Sequence, residues 1–131
     1  MILLDSSVIL AFFNEEDMFH AKAIQLFKSY EKEQKSLAIS DYILNECLTV
    51  MLRKRNLKES KRMLDFLLNY RNLELFHLDA DGFMSSIDEF KNQEDHLSFI
   101  DCSILWMLKK NRFEVATFDK NLLKEIKKSS K

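Results

Sequence analysis

Four acidic residues stand in sequence contexts that predict a single metal site: Asp5, Glu46, Asp101 and Asp119. Asp5 and Asp119 each follow a short apolar run typical of a buried parallel strand, whereas Glu46 and Asp101 fall within helical patterns. In an open α/β sheet, ligands bind at the carboxyl ends of the strands, so we expect the four carboxylates to gather there. A group of carboxylate oxygens suits a hard divalent cation such as Mg²⁺ or Mn²⁺.

The same acidic residues also have purely structural interpretations. Asp5 and Asp119 each stand between a strand and a helix, where Asp is a common N-cap. Ser98 and Asp101 have the spacing of a capping box, with Asp in the Glu position. Glu46 lies past the first turn of its helix, borders the apolar face and has no basic residue three or four positions away. Burying such a carboxylate is costly without a cation or donors, although a solvated Glu remains the alternative.

The elements that must position these residues follow from hydrophobic periodicity. Strands are predicted at 2–5, 37–40, 73–78 and 114–118, and helices at 7–13, 18–34, 41–55, 58–70, 81–92, 99–110 and 120–128. Alternation of strands and helices predicts an α/β fold with a central parallel sheet of four to five strands flanked by helices. The length of 131 residues predicts a single domain, 1–131.

Composition limits the possible functions. The chain has one glycine and no proline, so the glycine-dependent phosphate-binding loops are absent. A net charge of −1 gives no global signal for nucleic acid, so any such contact must be local. No run approaches the ~20 apolar residues of a membrane span, and no membrane partner is expected. Cys47 and Cys102 form no CxxC pair, which predicts buried thiols in a reducing, cytoplasmic setting.

Segments spread over nearly the whole chain resemble the PIN domain family, and within it the small toxins of the VapC type. They are LLDSSVILAFF, ISDYILNECLTV, LSFIDCSIL and VATFDKNL. The resemblance implies a PIN-like nuclease domain acting as a Mg²⁺- or Mn²⁺-dependent endoribonuclease on RNA. It also implies the toxin role of a toxin–antitoxin pair, with a small antitoxin protein as partner and a homodimer as the assembly.

The resemblance to the PIN domain family also implies roles for the residues at matching positions. Asp5, Glu46, Asp101 and Asp119 match the acidic quartet that the family uses for catalysis and metal binding. Ser7 and Thr117 match positions that support the metal site. The family often has a glycine in the loop before the last strand. Here Asn111 replaces it, and Asn also tolerates a left-handed backbone.

A basic stretch offers local contacts to RNA phosphates. Arg53, Lys54 and Arg55 lie at a predicted helix–helix junction, and lysines of the terminal segment, Lys131 among them, are further candidates. The alternative for most of these residues is a solvated helix face.

Two other functions compete with the ribonuclease. One is a non-catalytic module that keeps the PIN fold and binds RNA or protein. Its RNA affinity would survive loss of Asp5 or Asp101. The other is a phosphotransfer enzyme with Asp5 as the nucleophile. Such enzymes usually need a second Asp two residues later, and that position holds Ser7.

Overall fold

The computed structural model describes residues 1–129 and has the predicted α/β architecture. Its strands are β1 (Ile2–Leu4), β2 (Leu37–Ser40), β3 (Leu73–Phe76) and β4 (Glu114–Ala116). Its helices are α1 (Ser6–Phe13), α2 (His20–Lys32), α3 (Asp41–Lys54), α4 (Leu57–Asn69), α5 (Ala80–Asn92), α6 (Phe99–Asn111) and α7 (Lys120–Ser129). Ser130 and Lys131 lie outside the described residues, so the expectation for Lys131 is not addressed.

The four strands form one parallel sheet in the order β3-β2-β1-β4. Leu3 of β1 pairs with Ala38 on one side and with Val115 on the other, and all residues of β1 and β2 are buried. The chain leaves β1 toward β2, while β4 joins the opposite edge of β1. The carboxyl ends of β1 and β4 therefore flank the point where the strand order reverses, the usual place for a ligand crevice.

Helix packing sets the positions of the acidic helices. Helix α1 packs on α2 and α3, α3 packs on α4, and α5 packs on α6. The glycine of the chain, Gly82, lies in α5 rather than in a turn. A Cβ there would come within 2.6 Å of Trp106 Cζ3, so the missing side chain permits close packing against α6. Helix α6 also carries Asp101, so this contact helps to fix one candidate ligand.

Element boundaries differ from the sequence predictions where side chains redirect the backbone. Helix α2 begins at His20 rather than 18, because the Asp17 carboxylate accepts the Phe19 amide at 2.8 Å in the preceding turn. Asn111, which could tolerate a left-handed backbone, does not adopt one. Helix α6 includes Asn111, and Arg112 takes the left-handed conformation with φ 53°.

The two cysteines belong to the buried core of the described chain. Cys47 and Cys102 are buried and unpaired, as predicted. Burial raises the pKa of the Cys102 thiol to about 11, so it stays protonated at neutral pH. No helix of the described chain has the length and apolarity needed to cross a membrane.

Candidate active site

Asp5 lies at the end of β1, with only 4% of its surface exposed. Its amide donates to the Ala116 carbonyl at 2.9 Å, which continues the β1–β4 pairing. Its carboxylate oxygen Oδ2 accepts hydrogen bonds from Ser7 Oγ at 2.8 Å and Thr117 Oγ1 at 2.7 Å. Both hydroxyls use the same oxygen, and no donor within residues 1–129 contacts Oδ1. That second oxygen is therefore available to a ligand.

Thr117 and Ser7 also hold the segment that follows β4. Thr117 Oγ1 accepts the Asp119 amide at 3.0 Å, and Ser7 Oγ accepts the Phe118 amide at 2.9 Å. Each hydroxyl thus donates to Asp5 and accepts from the β4–α7 connection. These bonds explain why β4 ends at Ala116 and not at residue 118 as predicted. Both residues lie beside Asp5, where the sequence placed its supporting pair.

Asp119 is the N-cap of α7. Its Oδ1 accepts the amides of Asn121 at 2.8 Å and Leu122 at 3.2 Å. Two donors on one oxygen orient the side chain and leave Oδ2 without a donor from the described residues. The structural interpretation of Asp119 as a cap therefore holds, and it is compatible with a ligand on the other oxygen.

Asp101 has the predicted capping-box geometry at the start of α6. Its amide donates to Ser98 Oγ at 3.0 Å, and its Oδ2 accepts the Ser98 amide at 3.2 Å. Burial raises the pKa of Asp101 above its usual value, and the charges of Asp5 and Asp119 raise it further, against the Ser98 hydrogen bonds that lower it. The fold again uses one carboxylate oxygen, and no donor in the described part of the chain contacts the other.

Glu46 projects from α3, which begins at the Ser40 cap, where Ser40 Oγ accepts the Ile43 amide at 3.2 Å. The Glu46 side chain is half-buried. Its pKa is raised first by burial and then by the charges of Asp5 and Asp101, while the Ser6 hydroxyl opposes the shift. Glu46 thus shares one electrostatic neighbourhood with carboxylates from β1 and α6.

The donor chemistry of this group fits a hard divalent ion. All four side chains are carboxylates at one edge of the sheet, and their mutual repulsion is the kind that a cation relieves. As they stand, no three acidic, histidine or cysteine side chains of residues 1–129 converge into a ready-made ligand cluster. Binding therefore requires the side chains to adjust around the ion.

A cavity of about 640 Å³ opens directly beside the acidic group. Ser7 and Asp119 form part of its wall, and Lys54 at the end of α3 forms another part. Arg55 instead pairs with Glu16 at 3.9 Å, and Arg53 is exposed outside the cavity lining. Of the three predicted RNA-binding residues, only Lys54 reaches this cavity.

Two contacts of the site were missed in the sequence. The Ser6 hydroxyl lies close enough to Glu46 to lower the pKa of its carboxyl, and the Phe118 amide donates to Ser7 Oγ at 2.9 Å. The two serines that follow Asp5 were the available signal for Ser6, but residue types alone do not show that its hydroxyl lies near Glu46. The structure places Asp5 at the N-cap position, without a side-chain capping bond. Backbone amides such as that of Phe118 leave no signal in residue types.

The chain belongs to the PIN domain family, whose model matches residues 2–128. This confirms the resemblance drawn from the sequence segments, which cover the same length. A comparison with curated protein sequences finds no significant match.

Three solved structures share this fold. VapC20 of Mycobacterium tuberculosis, described as a sarcin–ricin loop cleaving toxin, has a TM-score of 0.86 at 19% identity over 95% of both chains. PAE2754 of Pyrobaculum aerophilum has a TM-score of 0.62 at 16% identity, over 95% of this chain and 83% of its own. VapBC2 of Rickettsia felis, bound to a DNA fragment from its promoter, has a TM-score of 0.56 at 14% identity, over 91% of this chain and 100% of its own. At these identities the likeness establishes the fold.

Proposed function

We propose that this protein is a divalent-metal-dependent endoribonuclease and the toxin of a toxin–antitoxin pair. Its nuclease domain would span 1–131. Asp5, Glu46, Asp101 and Asp119 would hold Mg²⁺ or Mn²⁺. Family membership over residues 2–128 supports the nuclease class. The description of VapC20, a neighbour in fold, as a toxin that cleaves the sarcin–ricin loop supports RNA as the substrate.

One observation carries the proposal. Asp5, Asp101 and Asp119 each use one carboxylate oxygen for hydrogen bonds that orient the side chain, and each leaves the other oxygen without a donor from residues 1–129. The charges of Asp5 and Asp101 raise the pKa of Glu46. The charges of Asp5 and Asp119 raise the pKa of Asp101. Ordinary helix caps would not require three such carboxylates beside one another at the sheet switch point.

The protein's own residues supply orientation and charge. When bound, a divalent ion lowers the pKa of a water and stabilises charge on a phosphodiester. Ser7 and Thr117 fix the direction of the Asp5 carboxylate, and the first turn of α7 fixes that of Asp119. Lys54 adds a positive charge at the mouth of the adjoining cavity, suited to an RNA phosphate.

The partner proposal rests on a second surface. A cavity of about 700 Å³ lies between α2 and α4, apart from the acidic residues, and aromatic rings such as Phe12, Phe27 and Tyr70 line it. A VapBC2 complex among the structural neighbours supports a small antitoxin as the partner. We further propose a homodimer, from the family resemblance, and a cytoplasmic location, from the two unpaired cysteines.

The experiment is cleavage of a mixed single-stranded RNA pool with Mn²⁺. It compares the natural chain with Asp101→Asn and with Asp88→Asn, which changes an exposed acid of α5. Asn at 101 can still accept the Ser98 amide, so the fold should persist. Cleavage by the natural chain and the Asp88 variant, with none by the Asp101 variant, supports the proposal. Full activity in a folded Asp101→Asn protein would contradict the proposal. RNA binding without cleavage in all three proteins would favour the non-catalytic module.

A further inference from the structure

Apart from Ser7 and Asp119, the cavity beside the acidic site is lined by polar and apolar residues that the proposed metal site does not use. Its apolar side includes Phe19 and Phe118, whose rings stack with centroids 4.9 Å apart and an angle of 22°. Met18, 87% exposed, stands at the rim. The hydrogen bond from the Phe118 amide to Ser7 anchors this wall to the acidic site. The volume of about 640 Å³ lies within the ~300–1,000 Å³ typical of small-molecule sites.

The polar side comes from one short turn between α1 and α2. The Asp17 amide donates to the Asn14 carbonyl at 3.0 Å, which places both side chains on the same turn. Asp17 Oδ1 accepts the Phe19 amide and Asn14 Oδ1 accepts the Glu16 amide. Within the described residues, Asp17 Oδ2 therefore keeps an open acceptor, and the Asn14 Nδ2 group keeps its donors.

The charges of the lining select the ligand. Glu16 pairs with Arg55 at 3.9 Å, but the carboxylates of Asp17 and Asp119 still outnumber the one lining ammonium, Lys54, so a phosphate inside the cavity would be repelled. A neutral, flat group with hydrogen-bond donors fits better. Lys54, and Lys22 with its Nζ 5.7 Å from the Phe19 ring centroid, supply positive charge for a phosphate nearby.

Guanine presents the complementary edge. Its N1–H and N2–H₂ groups are adjacent donors that a carboxylate oxygen can accept, and its O6 accepts from an amide. Proteins that read single-stranded RNA bind the base edge in this manner and pack aromatic or apolar side chains on its face. Uracil offers a carboxylate only one ring N–H.

We propose that this cavity is a guanine subsite for the nucleotide next to the phosphate that is cut. Asp17 binds the donor edge, Asn14 binds O6, and the wall of Met18 and Phe19 contacts the ring. The inference rests on the proposed ribonuclease function for its role in catalysis, but the binding of guanine is measurable without metal or cleavage.

The test is a metal-free NMR titration of the full chain labelled with ¹³C in its methionine methyl groups. Met18 and Met51 line the cavity, whereas Met84 is an exposed methionine of α5 outside it. The ligands are GMP, IMP, which lacks the N2 amino group, and ribose 5-phosphate, which lacks the base. We expect GMP to shift the Met18 signal and leave Met84 in place. IMP should bind about tenfold more weakly, as loss of a hydrogen bond to a charged group implies, and ribose 5-phosphate should leave Met18 unshifted.

A matched pair of variants assigns the carboxylate. Asp17→Asn keeps an acceptor for the Phe19 amide but removes the charge, and it should abolish the preference for GMP over IMP. Asp88→Asn removes an exposed charge on α5 and should change nothing. No Met18 shift with GMP, an equal shift with ribose 5-phosphate, or equal affinities for GMP and IMP overturns the guanine subsite. Failure of the RNA cleavage assay bears on the proposed function alone, since this titration includes neither metal nor cleavage.

Discussion

Thr117 donates a 2.7 Å hydrogen bond to Asp5 Oδ2 across 112 positions of sequence. Its hydroxyl also accepts the Asp119 amide at 3.0 Å, so one side chain ties together the carboxyl ends of β1 and β4. Groups that orient ligand side chains typically change metal affinity or activity by about 10- to 100-fold when they are removed.

Replacing Thr117 tests this role. Thr117→Val keeps the shape but loses both hydrogen bonds, and we expect RNA cleavage and Mn²⁺ affinity to fall by about 10- to 100-fold. Thr117→Ser restores the hydroxyl and should recover most of the loss. Steady-state cleavage and calorimetry measure both effects. If the Val variant matches the natural chain while remaining folded, the hydroxyl does not position Asp5.

Removing one charge from the acidic group should stabilise the metal-free protein. Asp101→Asn keeps an acceptor for the Ser98 amide but relieves repulsion with Asp5 and Asp119. The gain should be at most about 1 kcal/mol, because solvent at the half-exposed side chain screens the repulsion. Thermal melts with a chelator present measure it. A lower melting temperature for the metal-free variant would count against repulsion in this group.

The pH dependence of stability should reflect Glu46. Its folded-state pKa is raised above the ordinary 4.5, mainly by burial. The folded state therefore binds this proton more tightly than the unfolded state does. The stabilisation is present below the ordinary pKa and is lost as the pH rises through the raised pKa.

Glu46→Gln should remove that contribution from the metal-free chain. Melts across about pH 4 to 7 should show a shallower decline of the free energy of unfolding in the variant than in the natural chain. Glu74→Gln, an exposed residue of β3, is the control. Identical slopes for the natural chain and Glu46→Gln would contradict the assignment of the shift to Glu46.

The basic stretch should contribute unequally to RNA binding. Lys54 lines the cavity beside Asp119, whereas Arg53 is exposed outside it. Lys54→Ala should weaken RNA binding and lower the slope of log affinity against log salt by about 1. Arg53→Ala should leave that slope nearly unchanged. Fluorescence anisotropy with labelled RNA and catalytically silent Asp101→Asn protein measures both, and equal slopes for the two variants would refute the distinction.

The sequence predicted the local parts of this site well. Apolar runs followed by Asp located strands β1 and β4, and the spacing of Ser98 and Asp101 identified the capping box, because both patterns depend on neighbours in sequence. The Thr117–Asp5 hydrogen bond is a tertiary contact, so it cannot be predicted from composition or periodicity. Family resemblance, not spacing, marked Thr117.

Backbone detail was less predictable for the same reason. The residue at which α6 ends, and the residue that takes the left-handed conformation after it, depend on how the chain enters β4. The basic stretch shows the limit for surfaces. Consecutive residues of a helix point in different directions, so a run of three cations could not indicate that Lys54 alone faces the cavity.

The proposed metal site is tested most directly by calorimetry of Mn²⁺ binding. The natural chain is compared with Asp5→Asn and Asp101→Asn, and Asp88→Asn is the control. Asp5 and Asp101 come from different elements, and each keeps one carboxylate oxygen that no donor among residues 1–129 contacts. A carboxylate metal site predicts Mn²⁺ binding to the natural chain and the control, and loss of binding in both site variants. Absence of binding to the natural chain, or undiminished binding in both variants, would contradict the carboxylate metal site.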